Sequence, residues 1–208
     1  MRYLTLFSRH LCLRLKVVTV KSDFQTIDIW DIIDPKFRDI RSYRRSLNSE
    51  DDSYESRHPE FYRPNRQVYL DGILQSTRFG NEPYHEGLVH PGMFAHSNPK
   101  RVAIIGGGEG STLREVLRHK TVEQVKMIEI DEIVVNMSRQ HLPDWNDCSD
   151  ILGSTRSCFD DPRADFRYED ALAWFIDRFS DNMRDPASGL FDPDIEKEKF
   201  DVIIMDAL

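Results

Sequence analysis

The chain has 208 residues, a formal net charge of −8, and 39% hydrophobic against 31% charged residues. That is enough for one large domain, or a small domain beside a medium one. The acidic balance excludes duplex nucleic acid as a partner, since phosphate binding needs clustered Lys and Arg, and no apolar run approaches the roughly 20 residues that span a bilayer. The expected partner is a small molecule, with no nucleic acid and no membrane. The three cysteines, Cys12, Cys148 and Cys158, form no CxxC pair. Their odd count and wide spacing predict reduced thiols in a cytoplasmic protein.

Residues 1–22 contain Arg and Lys but no acid before Asp23. Such a segment suits organelle targeting, but the β-branched run Val17-Val18-Thr19-Val20 favours an N-terminal strand. Phe24 to Trp30 alternates as a half-buried strand does, with Gln25, Ile27 and Ile29 on one side. Residues 34–66 lose all periodicity and read as a polar, partly disordered insertion. Gln67 to Gly72 returns to strand, with Asp71-Gly72 as the turn signal, and Ile73 to Ser76 is the next strand. Residues 1–80 are therefore expected to form a small β domain.

From Glu82 to Ala95 the pattern is helical, and Pro91-Gly92 is expected to interrupt it or start a second helix. Val102-Ala103-Ile104-Ile105 is a continuous apolar run, as a strand covered on both faces requires. Ser111 to Lys120 reads as an amphipathic helix with Leu113, Val116 and Leu117 inward. Val125 to Ile130 is a second strand, and Asp131 caps a helix that buries Val134, Val135 and Met137. After a loop over 144–162, Asp165 to Tyr168 is a third strand. Ala171 to Phe179 is a helix with Leu172, Phe175, Ile176 and Phe179 inward. A second polar insertion covers 181–198, and Phe200 to Met205 is a fourth strand that ends in Asp206. Alternating strands and helices predict an α/β, Rossmann-like doubly wound parallel sheet over 81–208. Four strands leave an open apolar edge, so the sequence is expected to be a truncated product, with a partner over that edge as the rival reading.

The chemistry gathers at strand ends. Gly106, Gly108 and Gly110 satisfy GxGxG, whereas the dinucleotide pattern GxGxxG would place a glycine at Ser111. Glu109 sits inside that loop. A helix N-terminus there favours anions, but a carboxylate repels a phosphate and welcomes a cation. The loop predicts an adenosyl ligand carrying an amine and a sulfonium. Glu129, at the end of the second strand, is placed to accept ribose hydroxyls, and Ile130 to pack on the adenine. Asp170 and Asp206 follow the third and fourth strands, where open α/β sheets bind ligands. His85 and His90 flank a Glu but stand five apart, whereas a helical zinc motif needs four, so no metal site is assigned.

LDGILQST, PYHEGLVHP, NPKRVAIIGGGEGSTLREVLRHK, VKMIEIDEIVV and DVIIMDA resemble the polyamine aminopropyltransferases, the spermidine synthase family. The GGGEGST form is most similar to the thermospermine and spermine synthase branch. The resemblance implies transfer of an aminopropyl group from decarboxylated S-adenosylmethionine, a co-substrate, to putrescine or spermidine, with methylthioadenosine released and no further cofactor. It implies a homodimer or homotetramer. By the same resemblance Glu109 binds the aminopropyl ammonium, Glu129 the ribose, and Asp170 with Ala171 the adenine edge. Gln25 and Gln75 line the donor site, Tyr84 and His85 lie near the reacting amine, and Asp206 is the general base. The family's second acid and proline, three and four residues after that base, fall beyond Leu208. The 208-residue chain is accordingly expected to have low or no activity. Two other functions compete: a methyltransferase using S-adenosylmethionine itself, whose carboxylate Glu109 would repel, and a non-catalytic family member.

Overall fold

The computed structural model describes residues 13–33, 64–151, 153, 155–179 and 199–207. The expectations for the extreme N-terminus, for both insertions over 34–63 and 181–198, and for Leu208 lie outside the described residues. Two compact units divide the chain, residues 1–80 and 81–208.

The first unit is a four-stranded antiparallel sheet, β1 (Leu13–Lys21), β2 (Thr26–Ile33), β3 (Asn65–Leu70) and β4 (Ile73–Thr77), in the order β1-β2-β3-β4. Alternation along β2 buries Ile27, Ile29 and Asp31. The buried carboxylate of Asp31 is held by the Arg66 fork, Nε at 2.8 Å and Nη2 at 2.9 Å. Arg66 therefore belongs to β3, and the sheet resumes sooner than the polar composition implies. Asp71 and Gly72 both take positive φ, 48° and 81°, as the tight turn between β3 and β4 requires.

The second unit runs α1 (Asn81–Ala95), β5 (Arg101–Gly106), α2 (Ser111–Leu117), β6 (Gln124–Glu129), α3 (Glu132–His141), a 3₁₀ turn (Cys158–Asp160), β7 (Ala164–Tyr168), α4 (Ala171–Phe179) and β8 (Val202–Asp206). The strands are all parallel in the order β7-β6-β5-β8. The chain starts at β5, builds outward through β6 and β7, and then crosses back to β8. Strand order reverses at β5, and the crevice between the carboxyl ends of β5 and β8 is the switch point where such sheets bind ligands. The doubly wound α/β reading holds.

Local departures have physical causes. Pro91 lies inside one continuous helix and does not break it. An interior proline costs roughly 3 kcal/mol, but Val89 and Met93 on either side are almost fully buried, each contributing about 1.5–3 kcal/mol. Helix α2 ends at Leu117, not Lys120, and is buried on every face. Even Arg114 and Glu115 are inside, because the Arg114 guanidinium donates to the Asp144 and Trp145 carbonyls and to Asn81 Oδ1. In α4 the inward residue is Trp174, packed with Phe175, Phe179 and Phe200 and lying under Lys126 and Arg178. Leu172 and Ile176 face outward. The indole, as the largest surface on the helix, decides which stripe is buried.

The cysteine expectation is corrected as well. Cys148 and Cys158 are both buried and joined in a disulfide, with Cα atoms 5.1 Å apart. Their loop doubles back on itself through an Asp147–Ser157 bridge and the bonds Cys148 N–H to Arg156 O and Cys158 N–H to Asn146 O, both 2.8 Å. Ten residues apart in sequence they look unrelated; the hairpin-like return brings them together.

Candidate functional site at the carboxyl ends of the sheet

The loop after β5 is shaped by glycine where nothing else fits. Gly106 has φ 79°, and a side chain there would run into the Asp206 carbonyl. Gly110 caps α2 at φ 91°, and an added Cβ would lie 2.7 Å from Phe159 Cζ. The loop is pinned to β8 by Gly107 N–H donating to Asp206 O at 3.1 Å. It is pinned to β6 by Gly108 N–H donating to Glu129 Oε2 at 3.1 Å.

Glu109 projects from this loop towards α1. Its Oε1 lies 2.8 Å from His85 Nε2, and the side chain is largely shielded from solvent. The other ring nitrogen of His85, Nδ1, lies 2.5 Å from the Asn81 carbonyl. Both nitrogens therefore face acceptors, an arrangement met by the doubly protonated ring. Burial alone lowers the His85 pKa, but the hydrogen bond and charge of Glu109, the Asn81 carbonyl and the charge of Asp206 together raise it above the ordinary value.

Asp206 closes the cluster. Its Oδ2 accepts the Thr112 hydroxyl at 2.6 Å and lies 3.8 Å from His85 Nε2. Burial, and then the Glu109 charge, push its pKa up against the opposing pull of Thr112 and His85. Tyr84 is over half exposed and meets the His85 ring edge-on, centroids 4.9 Å apart. Burial and the charges of Asp206 and Glu109 raise its phenol pKa.

Glu129 lies beside the loop, buried, with Oε2 on Gly108 N–H and Oε1 on Asp131 N–H at 3.0 Å. Burial raises its pKa and those backbone donors oppose the rise. Each oxygen keeps a lone pair for a further donor. Ile130, the next residue, is 42% exposed, so an apolar side chain is available at the crevice. Asp131 caps α3 through Ile133 N–H. Asp170 is exposed and caps α4, accepting Ala173 N–H at 2.9 Å; Ala171 opens that helix. Gln25 and Gln75 belong to the first unit, Gln25 in the turn before β2 and Gln75 half-buried in β4.

Three side chains central to this geometry escape the motif reading. Thr112 is one, and its position in the first turn after a glycine loop beside a neighbouring strand end is the signal. Asn81 is another: its carbonyl holds His85 while its amide oxygen faces Ser111 Oγ and Arg114. Ser111 is the third, fully buried with its hydroxyl within reach of Asn81 Oδ1 and the Trp145 carbonyl. It fits the helix start through polar partners, not through small size. His90 stands apart from the cluster, with Nδ1 3.0 Å from His119 Nε2 and Nε2 3.5 Å from Glu115.

A parallel sheet with a glycine loop at its switch point, a strand-end acid on β6 and a carboxylate inside the loop defines a doubly wound α/β domain of the nucleotide-binding class. The family model of the spermine/spermidine synthase domain matches residues 81–208, and the chain belongs to that family. The polyamine aminopropyltransferase of Thermococcus onnurineus is 46% identical over 140 residues, 67% of this chain and 40% of that protein. A spermine synthase of Saccharomyces cerevisiae is 42% identical over 140 residues, 67% of this chain and 39% of that protein. Among solved structures, spermidine synthase from Thermotoga maritima superposes with a TM-score of 0.60 at 31% identity, covering 93% of this chain and 48% of that one. A spermidine synthase in complex with the transition state analogue AdoDATO superposes equally well. The chain spans about 40% of the length of the curated relatives it matches.

Proposed function

We propose that this chain carries the donor-binding and proton-accepting side of an aminopropyl-transfer site. The reaction moves the aminopropyl group of decarboxylated S-adenosylmethionine to an amine of putrescine or spermidine. The observation that carries this reading is the convergence of Glu109, His85 and Asp206 at one strand-end crevice. The names of the relatives and the AdoDATO complex support it.

The chemistry follows from charge. The sulfonium is already a good leaving group, so the donor needs alignment more than activation. The acceptor amine, with a pKa near that of lysine, about 10.4, is protonated at neutral pH. Its nitrogen lone pair is freed when one proton passes to Asp206, whose raised pKa suits a base. The nitrogen then forms the new N–C bond while the C–S bond breaks with its electrons onto sulfur, releasing methylthioadenosine. The alkylated nitrogen keeps its remaining protons as a secondary ammonium. Glu109 takes the donor ammonium, Glu129 the ribose hydroxyls, Ile130 and Ala171 flank the adenine, and Asp170 takes its exocyclic amine. Tyr84 and His85 orient the acceptor. Gln25 and Gln75 are assigned to the donor by resemblance alone.

No resident cofactor enters this scheme, because the donor brings its own electrophile. No helix among the described residues is long and apolar enough to cross a membrane. From family membership alone we infer a cytoplasmic protein forming a homodimer or homotetramer. Incubation of a protein of the family's full length carrying these residues with decarboxylated S-adenosylmethionine and either acceptor, followed by chromatography, is expected to show methylthioadenosine and an elongated polyamine. Methylation of the acceptor by S-adenosylmethionine, with no aminopropyl transfer, would contradict the proposal.

A further inference from the structure

We propose that Thr112 is a positioning residue for Asp206: its hydroxyl claims Oδ2, fixes the carboxylate plane, and leaves Oδ1 as the oxygen that receives the amine proton. The role of Asp206 as base rests on the aminopropyl-transfer reading; the hold of Thr112 on the carboxylate does not.

Oδ2 is the crowded oxygen. Thr112 Oγ1 donates to it at 2.6 Å, and His85 Nε2 stands 3.8 Å from the same atom. It also lies 3.1 Å from where a Cβ on Gly107 would sit, so the loop backbone closes its remaining side. Thr112 itself is fully buried, in the second position of α2. The Asp206 main chain is held separately, with its carbonyl accepting Gly107 N–H. Backbone and side chain are thus anchored by different partners, and only the carboxylate torsion depends on Thr112. A carboxylate that shares one oxygen with a neutral hydroxyl keeps its basic lone pairs on the other. A freely rotating one presents either oxygen, at the cost of alignment with nitrogen, carbon and sulfur. The same hydroxyl lowers the pKa that burial raises.

As the amine attacks, its proton leaves the nitrogen for Oδ1, and the electron pair of the broken C–S bond stays on sulfur. The Thr112 proton remains on its own oxygen throughout. The threonine contributes orientation and proton affinity only, and threonine and serine should be equivalent where valine is not.

The test is a ¹³C-carboxyl titration of the full chain by NMR, with Asp206 assigned by the loss of its signal in D206N. Asp206 is expected to titrate at higher pH in T112V than in the wild type, and at the wild-type pH in T112S. In a protein of the family's full length carrying the same substitutions, kcat for methylthioadenosine release is expected to fall about tenfold for T112V, with the acidic limb of the pH profile moved up, the donor KM unchanged, and T112S restored. Asp206 titrating at the same pH in all three proteins would overturn the proposal, whatever the turnover. A titration that follows the hydroxyl while none of the full-length proteins makes methylthioadenosine supports the hold of Thr112 and sinks the aminopropyl reading instead.

Discussion

Asp201 and Asp206 bracket one strand, and their surroundings could hardly differ more. Asp201, at the amino end of β8, is exposed, and its Oδ2 accepts Lys100 N–H at 2.7 Å and Arg101 N–H at 2.9 Å. Those two backbone donors hold its pKa below the usual value. Beside it Lys100 pairs with Glu123 at 2.6 Å. Asp206, at the carboxyl end, is shielded, has a hydroxyl and a distant imidazole for company, and has its pKa pushed up by burial and by Glu109. The amino end of the sheet spends its carboxylates on closing the structure. The carboxyl end keeps Glu109 and Asp206 together around a single histidine, a costly arrangement that a bound cation would relieve.

The sharpest break of this contrast is D206N. Removing the proposed base is expected to lower kcat by about 10²–10⁴, measured as methylthioadenosine release in a protein of the family's full length. The same change should raise the melting temperature at pH 7. A carboxyl with a raised folded pKa favours the native state at low pH, and that contribution is lost as pH rises through the folded value; asparagine removes the charge that incurs it. A melting temperature lowered at pH 7 but not at pH 4 would go against the account.

His85 gives the opposite handle. Its pKa is raised in the fold, so its stabilising contribution is fully present below about 6.5 and disappears as pH rises through the folded value. Denaturant midpoints measured from pH 5 to 9 should fall across that window in the wild type and flatten in E109Q, which removes the charge on the ring. An unchanged slope in E109Q would place the His85 charge elsewhere.

The smallest effect belongs to D201N. It is expected to leave kcat within twofold and to cost about 0.5–1.5 kcal/mol of stability through weaker acceptance of the two N–H groups, read from urea unfolding. A large loss of activity there would dissolve the distinction between the two ends.

Much of this was legible before any coordinates. Continuous apolar runs marked β5 and β8, the glycine spacing marked the loop, and the acids at the strand ends marked the crevice. Those signals are local in sequence and reflect what a covered strand and a tight turn demand; β5 is buried as expected, but β8, expected to be buried, leaves Ile203 and Met205 exposed on one face. What stayed hidden depends on tertiary neighbours. Trp174 displaced Leu172 and Ile176 from the inward face because Phe200 and Lys126 wait on that side. Pro91 failed to break α1 because Val89 and Met93 anchor it. Cys148 met Cys158 because the intervening chain returns on itself. Thr112 looked like an ordinary helix residue until β8, nearly a hundred residues later, placed Asp206 against it.

The central claim is that the carboxylate inside the glycine loop selects a donor by its positive charge. Calorimetric titration of the chain with decarboxylated S-adenosylmethionine and with S-adenosylmethionine tests it directly. The account predicts at least tenfold tighter binding of the decarboxylated form, and loss of that preference in E109Q. Equal or tighter binding of the carboxylated form by the wild type would contradict it.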